Sequence, residues 1–177
     1  MDRARADDLV VIARQIGRTP RGVDGVALRC RFGCPQVVVV HPVVDGTPFP
    51  TLYWLTCPHL RQAVSALESD GWVSRLEDRL SRDHRLRAAF LRAHRVYGVQ
   101  RAARLSTDDR ERLIGGRRLE EFLAKGIGGI ADFRRVKCLH VHVAHALAEE
   151  NPIGALVLAH LGTRECAVKK EICSTLA

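Results

Sequence analysis

The chain has 177 residues, of which 46% are hydrophobic and 27% charged, so it is long enough and apolar enough to bury a core. The first eight residues contain no apolar run, and no later run approaches the roughly 20 residues of a membrane span. We therefore expect a cytoplasmic protein. Its six cysteines should stay reduced and serve metal ligation or thiol chemistry more readily than disulfides.

The formal net charge of +8 is concentrated in one segment. Arg75–Arg118 contains 13 arginines and six acidic residues, whereas the rest of the chain is almost balanced. Such a segment can attract nucleic acid or another phosphate-rich ligand, although a solvated helix face has the same composition. Its two aromatic residues, Phe90 and Tyr97, are both predicted to face inward, which leaves little for stacking on RNA bases.

The N-terminal third predicts one helix followed by strands. Asp7 or Asp8 can cap a helix that ends at Gly17, before Pro20. Three runs rich in β-branched and aromatic residues then follow, with short glycine- and proline-containing breaks between them. They are Gly25–Arg31, Gln36–His41 and Thr51–Leu55. Connections this short favour an antiparallel meander.

The remainder of the chain predicts helices, and several starts are marked by capping residues. Cys57-Pro58 and Asn151-Pro152 combine a cap with a proline at the first helical position, Asp83 precedes an arginine-rich helix, and Ser106–Asp109 resembles a capping box. We predict an α+β fold in one domain over residues 1–177. Residues 1–57 form the helix and the meander, and residues 58–177 form a larger helical part.

The most informative stretch is Val136–Leu147, which places one cysteine and three histidines in an apolar run. On a helix at about 100° per residue, Cys138, His142 and His145 fall on one stripe, and His140 points nearly opposite. Buried imidazoles and thiols need partners, and a shared metal ion would satisfy several at once. A core helix whose histidines bond to backbone carbonyls is the alternative.

Two ligand sets for a metal follow from these residues. In the mixed set, Cys57, Cys138, His142 and His145 bind Zn²⁺. In the all-sulfur set, Cys57, Cys138, Cys166 and Cys173 hold an iron–sulfur cluster. No CxxC pair is present, so spacing alone favours neither set.

Cys57 also supports a different function, that of a thiol enzyme. A cysteine at a helix N-cap meets unpaired amides and the positive end of the helix dipole, which favour the thiolate. With a nearby histidine as base, Cys57 would be the nucleophile.

The glycine-rich segment Gly126–Gly129 precedes the histidine-rich stretch and has Arg134, Arg135 and Lys137 nearby. Such loops can cradle phosphate. The segment lacks both the P-loop ending and the Rossmann spacing, so a turn that leads into the histidine-rich helix is the favoured interpretation.

Several segments, in the same order along most of the chain, resemble a bacterial family known as domain of unknown function 501. They are Thr47–Pro58, Leu67–Gly71, Gly128-Gly129, Val136–His140 with His145, and Asn151–Gly154. The resemblance implies a bacterial cytosolic protein and carries no established activity.

Overall fold

The computed structural model describes residues 2–115 and 118–173, and it has an α+β fold, as predicted. Four antiparallel strands form the main sheet in the order β1 (Asp2–Arg3), β2 (Val23–Arg29), β3 (Pro35–Val40) and β6 (Tyr53–Leu55). Strands β4 (Val43–Val44) and β5 (Thr47–Pro48) pair separately. The predicted meander corresponds to β2, β3 and β6, whereas β1, β4 and β5 were not expected because each has only two residues.

Helix α1 (Ala6–Ile16) ends at Gly17 as predicted, but the predicted N-cap was wrong. The cap is Arg5, and the Asp8 carboxylate reaches back to accept a hydrogen bond from the Arg5 amide at 2.9 Å. Asp8 also accepts two bonds from Arg29 of β2, at 2.6 and 2.8 Å. The Arg29 guanidinium holds the pKa of Asp8 well below its usual range, so this pair joins α1 to the sheet at neutral pH.

Seven further helices follow, and their capping residues were largely predictable. They are α2 (Pro58–Ser69), α3 (Trp72–Arg82), α4 (His84–Ala102), α5 (Thr107–Gly115), α6 (Leu119–Ala124), α7 (Leu139–Ala148) and α8 (Pro152–Leu161). Asp83 caps α4 through the Leu86 amide, Ser106 and Asp109 form the expected box, and Asn151 caps α8 through the Gly154 amide. Within the described residues, no helix is both long and apolar enough to cross a membrane.

Strand β3 is buried on both faces, which explains its run of four valines. Val38 and Val40 pack with Ile12 of α1, whereas Val37 and Val39 face the larger core built around α7. A strand covered on both sides carries continuous apolar residues instead of an alternating pattern. Helix α7 packs against β6, α2 and α8, so the histidine-rich stretch lies in the centre of the helical part.

The glycine-rich segment is a 3-10 helix, Ile127–Gly129, in the connection that leads to α7. A Cβ on Gly126 would lie 2.2 Å from Nδ1 of His94, and one on Gly129, where φ is +80°, would lie 2.7 Å from Pro50. These glycines therefore allow close packing on both sides of the turn, in agreement with the favoured interpretation of this segment.

Candidate functional site

Five of the six cysteines line one small cavity between the sheet, α2 and the C-terminal segment. Cys30 and Cys34 flank the turn between β2 and β3, and Cys57 is the N-cap of α2. Cys166 and Cys173 come from the segment after α8. Cys34, Cys57 and Cys173 are buried, whereas Cys30 and Cys166 are half-buried.

Backbone hydrogen bonds bring the first three of these cysteines together. The Cys30 amide donates to the Cys34 carbonyl at 3.0 Å, which closes the turn between β2 and β3. Gly33 lies in this turn with φ of +75°, a conformation that favours glycine. The Cys57 amide donates to the Gln36 carbonyl at 3.3 Å, so the start of α2 is held beside β3.

The C-terminal segment docks onto the same place through polar contacts. Glu165 accepts from the Arg31 amide and from its guanidinium, at 2.7 and 2.9 Å. The Gln36 side chain donates to the Arg164 carbonyl at 2.6 Å. Gln15 donates to Sγ of Cys173 at 3.4 Å. These contacts explain how residues far apart in the sequence reach one cavity.

Burial and the mutual proximity of the thiols control their protonation. Burial raises the pKa of Cys34 to about 11, and the neighbouring thiols of Cys30 and Cys173 act in the same direction, whereas Lys169 opposes them. Burial also raises the pKa of Cys57, although the amides of Leu60 and His59 at the start of α2 oppose it. The cap position of Cys57 was predicted correctly, but the expected stabilisation of its thiolate was wrong, because burial outweighs the helix terminus.

The donors around the cavity fit a cation. Cysteine binds a metal ion as the thiolate, so a bound cation would displace the thiol protons and offset the cost of gathering negative charge. Lys169 and Lys170 also line the cavity and can offset the charge of several thiolates. The cavity has a volume of about 10 Å³, which is the space of a single water molecule or ion.

A second cluster lies where α2 meets the start of α7. Among the described residues, only Glu68, Cys138 and His140 bring three histidine, cysteine or carboxylate ligand atoms within 4.8 Å of one another. Cys138 is the N-cap of α7 and has an extended backbone (φ −156°, ψ 154°). It therefore does not continue the helical stripe of His142 and His145, as the prediction assumed.

His142 and His145 share a face of α7, as predicted, but one nitrogen of each ring, Nδ1, already has a protein partner. The Gly154 amide donates to Oδ1 of Asn151 at 2.8 Å, which turns the Asn151 amide nitrogen toward the helix. This nitrogen lies 3.2 Å from Nδ1 of His142 and 3.1 Å from Nδ1 of His145. Because the nitrogen can only donate, both Nδ1 atoms are acceptors, and the ring proton is on Nε2.

His94 of α4 completes this buried group of histidines, and its Nδ1 accepts from the Ile127 amide at 3.1 Å. Burial lowers the pKa of His94 and of His145 to about 4, and that of His142 to about 3. Nε2 of each has no hydrogen-bond partner among the described residues. His94 makes an edge-to-face contact with Phe90 and His145 makes one with Tyr97, at 4.4 and 5.0 Å between centroids, so both imidazoles lie among aromatic rings.

Neither predicted ligand set is brought together as a whole. Cys57 starts α2, whereas Glu68, the neighbour of Cys138, lies eleven residues further on, about 16 Å along the helix. Three members of the all-sulfur set, Cys57, Cys166 and Cys173, do line the cavity. In place of Cys138, the structure supplies Cys30 and Cys34. Their spacing around a glycine-containing turn was the signal that both predicted sets left unused.

The first part of the predicted basic segment, from Arg75 to Arg85, lines an exposed groove between α3 and α4. Four of its arginines line this groove together with two acidic residues and one histidine: Arg75, Arg79, Arg82, Arg85, Asp78, Asp83 and His84. Phe90 and Tyr97 are buried, as predicted, and are unavailable for stacking on bases.

The chain belongs to the family described as "Protein of unknown function (DUF501)", which matches residues 26–159, about three quarters of the chain. The matched region includes Cys30, Cys34, Cys57 and Cys138 and ends before Cys166 and Cys173. No curated protein and no solved structure gives a match.

Proposed function

We propose that this chain is a metal-binding protein whose ligands are the thiolates of Cys30, Cys34, Cys57 and Cys173. The observation that carries the proposal is the convergence of five cysteines from three separate parts of the chain on one cavity. Cys34 and Cys57 each lie near Cys173, and Cys30 lies near Cys34, so these four thiols form a continuous group. Cys166 is the half-buried fifth thiol at the edge.

A single soft ion, Zn²⁺ foremost, fits this site better than an iron–sulfur cluster. A sulfur-only donor set suits both groups. The cavity volume of about 10 Å³ favours the single ion, because a cluster of several iron and sulfide atoms requires the surrounding backbone to separate. No three of the sulfurs lie within 4.8 Å of one another, so their side chains must turn inward around an ion. Rotation about a side-chain bond needs less rearrangement than separation of the backbone.

Four thiolates leave no open position on tetrahedral zinc, so the role of the ion is structural. It would fasten the C-terminal segment to the sheet and to the start of α2. The exposed pair between Arg31 and Glu165 holds that segment weakly by itself, since surface ion pairs contribute about 1 kcal/mol or less.

The test is metal analysis of protein purified without oxygen, with Cys34→Ser and Cys57→Ser as the disabling variants and Cys166→Ser as the matched control. We expect zinc in the wild type and in the control, and loss of one equivalent in each disabling variant. Replacement of zinc by cobalt should give the intense absorption of several thiolate bonds. Detection of iron together with acid-labile sulfide would instead mean that the site holds an iron–sulfur cluster and not zinc. Metal content unaffected by both disabling variants would overturn the proposal.

The basic groove supports a second candidate, binding of nucleic acid or another phosphate-rich ligand. Its four arginines, Arg75, Arg79, Arg82 and Arg85, line one exposed surface. Binding of RNA that weakens steeply with salt, and that is lost in Arg79→Glu with Arg82→Glu, would support this role. Absence of binding at low salt would exclude it.

The thiol-enzyme alternative is less favoured by the arrangement around Cys57. The residues that line its cavity include no histidine to act as base, and Cys57 is only 7% exposed. Burial also raises the pKa of its thiol, which opposes formation of the nucleophilic thiolate.

A further inference from the structure

The cluster of Glu68, Cys138 and His140 lies outside the cysteine cavity and differs from it in chemistry. It combines one carboxylate, one thiol and one imidazole, contributed by α2 and by the first turn of α7. All three residues are half-buried, so the cluster is accessible from solvent yet partly shielded from it.

The tautomer of His140 is set by its surroundings. Its Nε2 lies 3.2 Å from the Arg61 carbonyl, which can only accept a hydrogen bond, so Nε2 carries a proton. Nδ1 lies 3.2 Å from Oε1 of Glu68, where it donates a proton when the ring is charged and can offer its lone pair to a cation when the ring is neutral. Metal-binding histidines typically show this arrangement, with one ring N–H donated to a backbone carbonyl and the other nitrogen free.

The other two ligand atoms are also held in place. The Leu139 amide donates to Oε1 of Glu68 at 2.5 Å, which fixes the carboxylate at the start of α7. The extended backbone of Cys138, immediately before this turn, places its sulfur in the same cluster. Nδ1, the carboxylate and the thiolate form of Cys138 are all electron-pair donors, so a cation between them would interact favourably with all three.

A proton is the simplest such cation. A divalent metal ion neutralises the same group of donors more completely, because it interacts with all three at once.

We infer that Glu68, Cys138 and His140 bind one divalent transition-metal ion, of the zinc or cobalt class, through a carboxylate oxygen, a thiolate and Nδ1. Three protein ligands leave the fourth position to water or to an anionic ligand, which is the arrangement of zinc sites that react. This site is separate from the proposed four-thiolate site, since Glu68 and Cys57 are about 16 Å apart along α2.

Cadmium NMR of the full chain tests the inference, because the chemical shift of the bound ion reports the number of sulfur ligands. We expect two resonances from the wild type, one typical of four sulfurs and one typical of a single sulfur with nitrogen and oxygen. Cys138→Ser should remove only the second resonance, Cys57→Ser only the first, and the Cys166→Ser control neither. The failure of one site is thus distinguishable from the failure of the other.

Glu68→Gln separates the role of Glu68 as a metal ligand from its role at the start of α7. The side-chain oxygen of the glutamine can still accept the hydrogen bond from the Leu139 amide, but it is a weaker metal ligand than a carboxylate. We expect the helix to stay intact by circular dichroism, while the affinity of the second site for Co²⁺ falls tenfold or more. His140→Gln should lower the Co²⁺ affinity of the second site in the same way. It replaces Cys138→Ser in the test if that variant does not fold. A wild type without the second resonance, a second resonance that survives Cys138→Ser, or unchanged affinity in Glu68→Gln and His140→Gln would overturn the inference.

Discussion

The cysteine cavity and the buried histidines of the helical core both gather metal-ligand side chains, yet their chemistry is opposite. In the cavity the thiols neighbour one another, and three of them, Cys34, Cys57 and Cys173, are buried. In the core, His94, His142 and His145 each have Nδ1 occupied by an N–H donor. We propose a cation for the first group, whereas the Nδ1 lone pairs of the second are already occupied.

The comparison shows that residue type and burial are insufficient to identify a ligand. The partner of the other ring nitrogen decides whether a histidine can bind a metal. His140 has Nε2 against a carbonyl and Nδ1 toward a carboxylate, whereas His142 has Nδ1 against an amide N–H. Of these two residues on one helix, only His140 has its Nδ1 beside a carboxylate oxygen, which is itself a metal-ligand atom.

The largest expected effect is loss of stability in acid, which tests whether the core histidines are held neutral. Histidines of the unfolded chain have a pKa near 6.5. In the folded protein the pKa is about 4 for His94 and His145 and about 3 for His142, so these residues bind protons only at lower pH. The unfolded state therefore binds more protons in this interval, and stability falls as the pH falls. Each residue contributes about 2 kcal/mol between about pH 7 and pH 5.

His41 and His140 act in the opposite direction. Burial lowers the pKa of His41, but its contacts with Asp109 and Asp24 raise it overall, and Cys138 with Glu68 raises that of His140 against burial. The net loss is therefore smaller than the sum. Urea unfolding measured across this pH range gives the slope. His142→Gln should reduce the slope by about the contribution of one residue. A stability that does not change between pH 7 and pH 5 would contradict the neutral histidine core.

The next largest effect is expected from Asn151→Ala, which removes the side chain that donates to both His142 and His145. The same change removes the cap that Asn151 provides to the Gly154 amide. A lost cap destabilises by about 1 kcal/mol, and buried acceptors without partners add roughly 1–3 kcal/mol, so we expect a loss of about 3 kcal/mol. Chemical denaturation measures it.

Asn151→Asp is the matched variant for this prediction. Its carboxylate preserves the cap of α8 but cannot donate to the two Nδ1 atoms, so the histidines must move their protons to Nδ1. We expect the nitrogen NMR shifts of His142 and His145 to report this change. Identical shifts in the wild type and Asn151→Asp would show that Asn151 does not set the tautomer.

Local capping signals predicted most of the fold correctly. Pro58 after Cys57, Asp83, Ser106 with Asp109, and Asn151 before Pro152 all mark helix starts, because each acts through residues close in sequence. The α1 cap was missed because Asp8 acts from inside the helix and pairs with the distant Arg29. Interactions between distant residues leave no local signal.

The candidate site was less predictable for the same reason. Cys57 was identified from its cap position, but its partnership with Cys34 and Cys173 depends on the docking of the C-terminal segment. Glu68 gave no signal, since a glutamate on a half-exposed helix is ordinary. Cys138 was assigned to the wrong face because its backbone is extended, and helical periodicity does not apply before the first turn.

The smallest expected effect comes from a pair of glycine substitutions that tests the packing behind the histidine core. Gly154 lies where α8 meets α7, and a Cβ there would lie 2.0 Å from the His142 carbonyl oxygen and 2.6 Å from Cβ of Ala146. Gly154→Ala must therefore push the helices apart, which also loosens the contacts of Asn151 with the histidines. Overpacking of this kind destabilises by about 2 kcal/mol.

Gly98→Ala is the control, because a Cβ on this residue of α4 would have only ordinary contacts, the nearest at 3.7 Å from the Lys125 carbonyl oxygen. Alanine is the better helix former by roughly 0.8–1.0 kcal/mol, so Gly98→Ala should stabilise the protein slightly. Thermal unfolding of the two variants should shift in opposite directions. Unchanged thermal stability in Gly154→Ala would mean that α8 can move without disturbing α7. The packing of α8 would then not be what fixes the Nδ1 contacts of His142 and His145, by which the histidine core differs from the cysteine cavity.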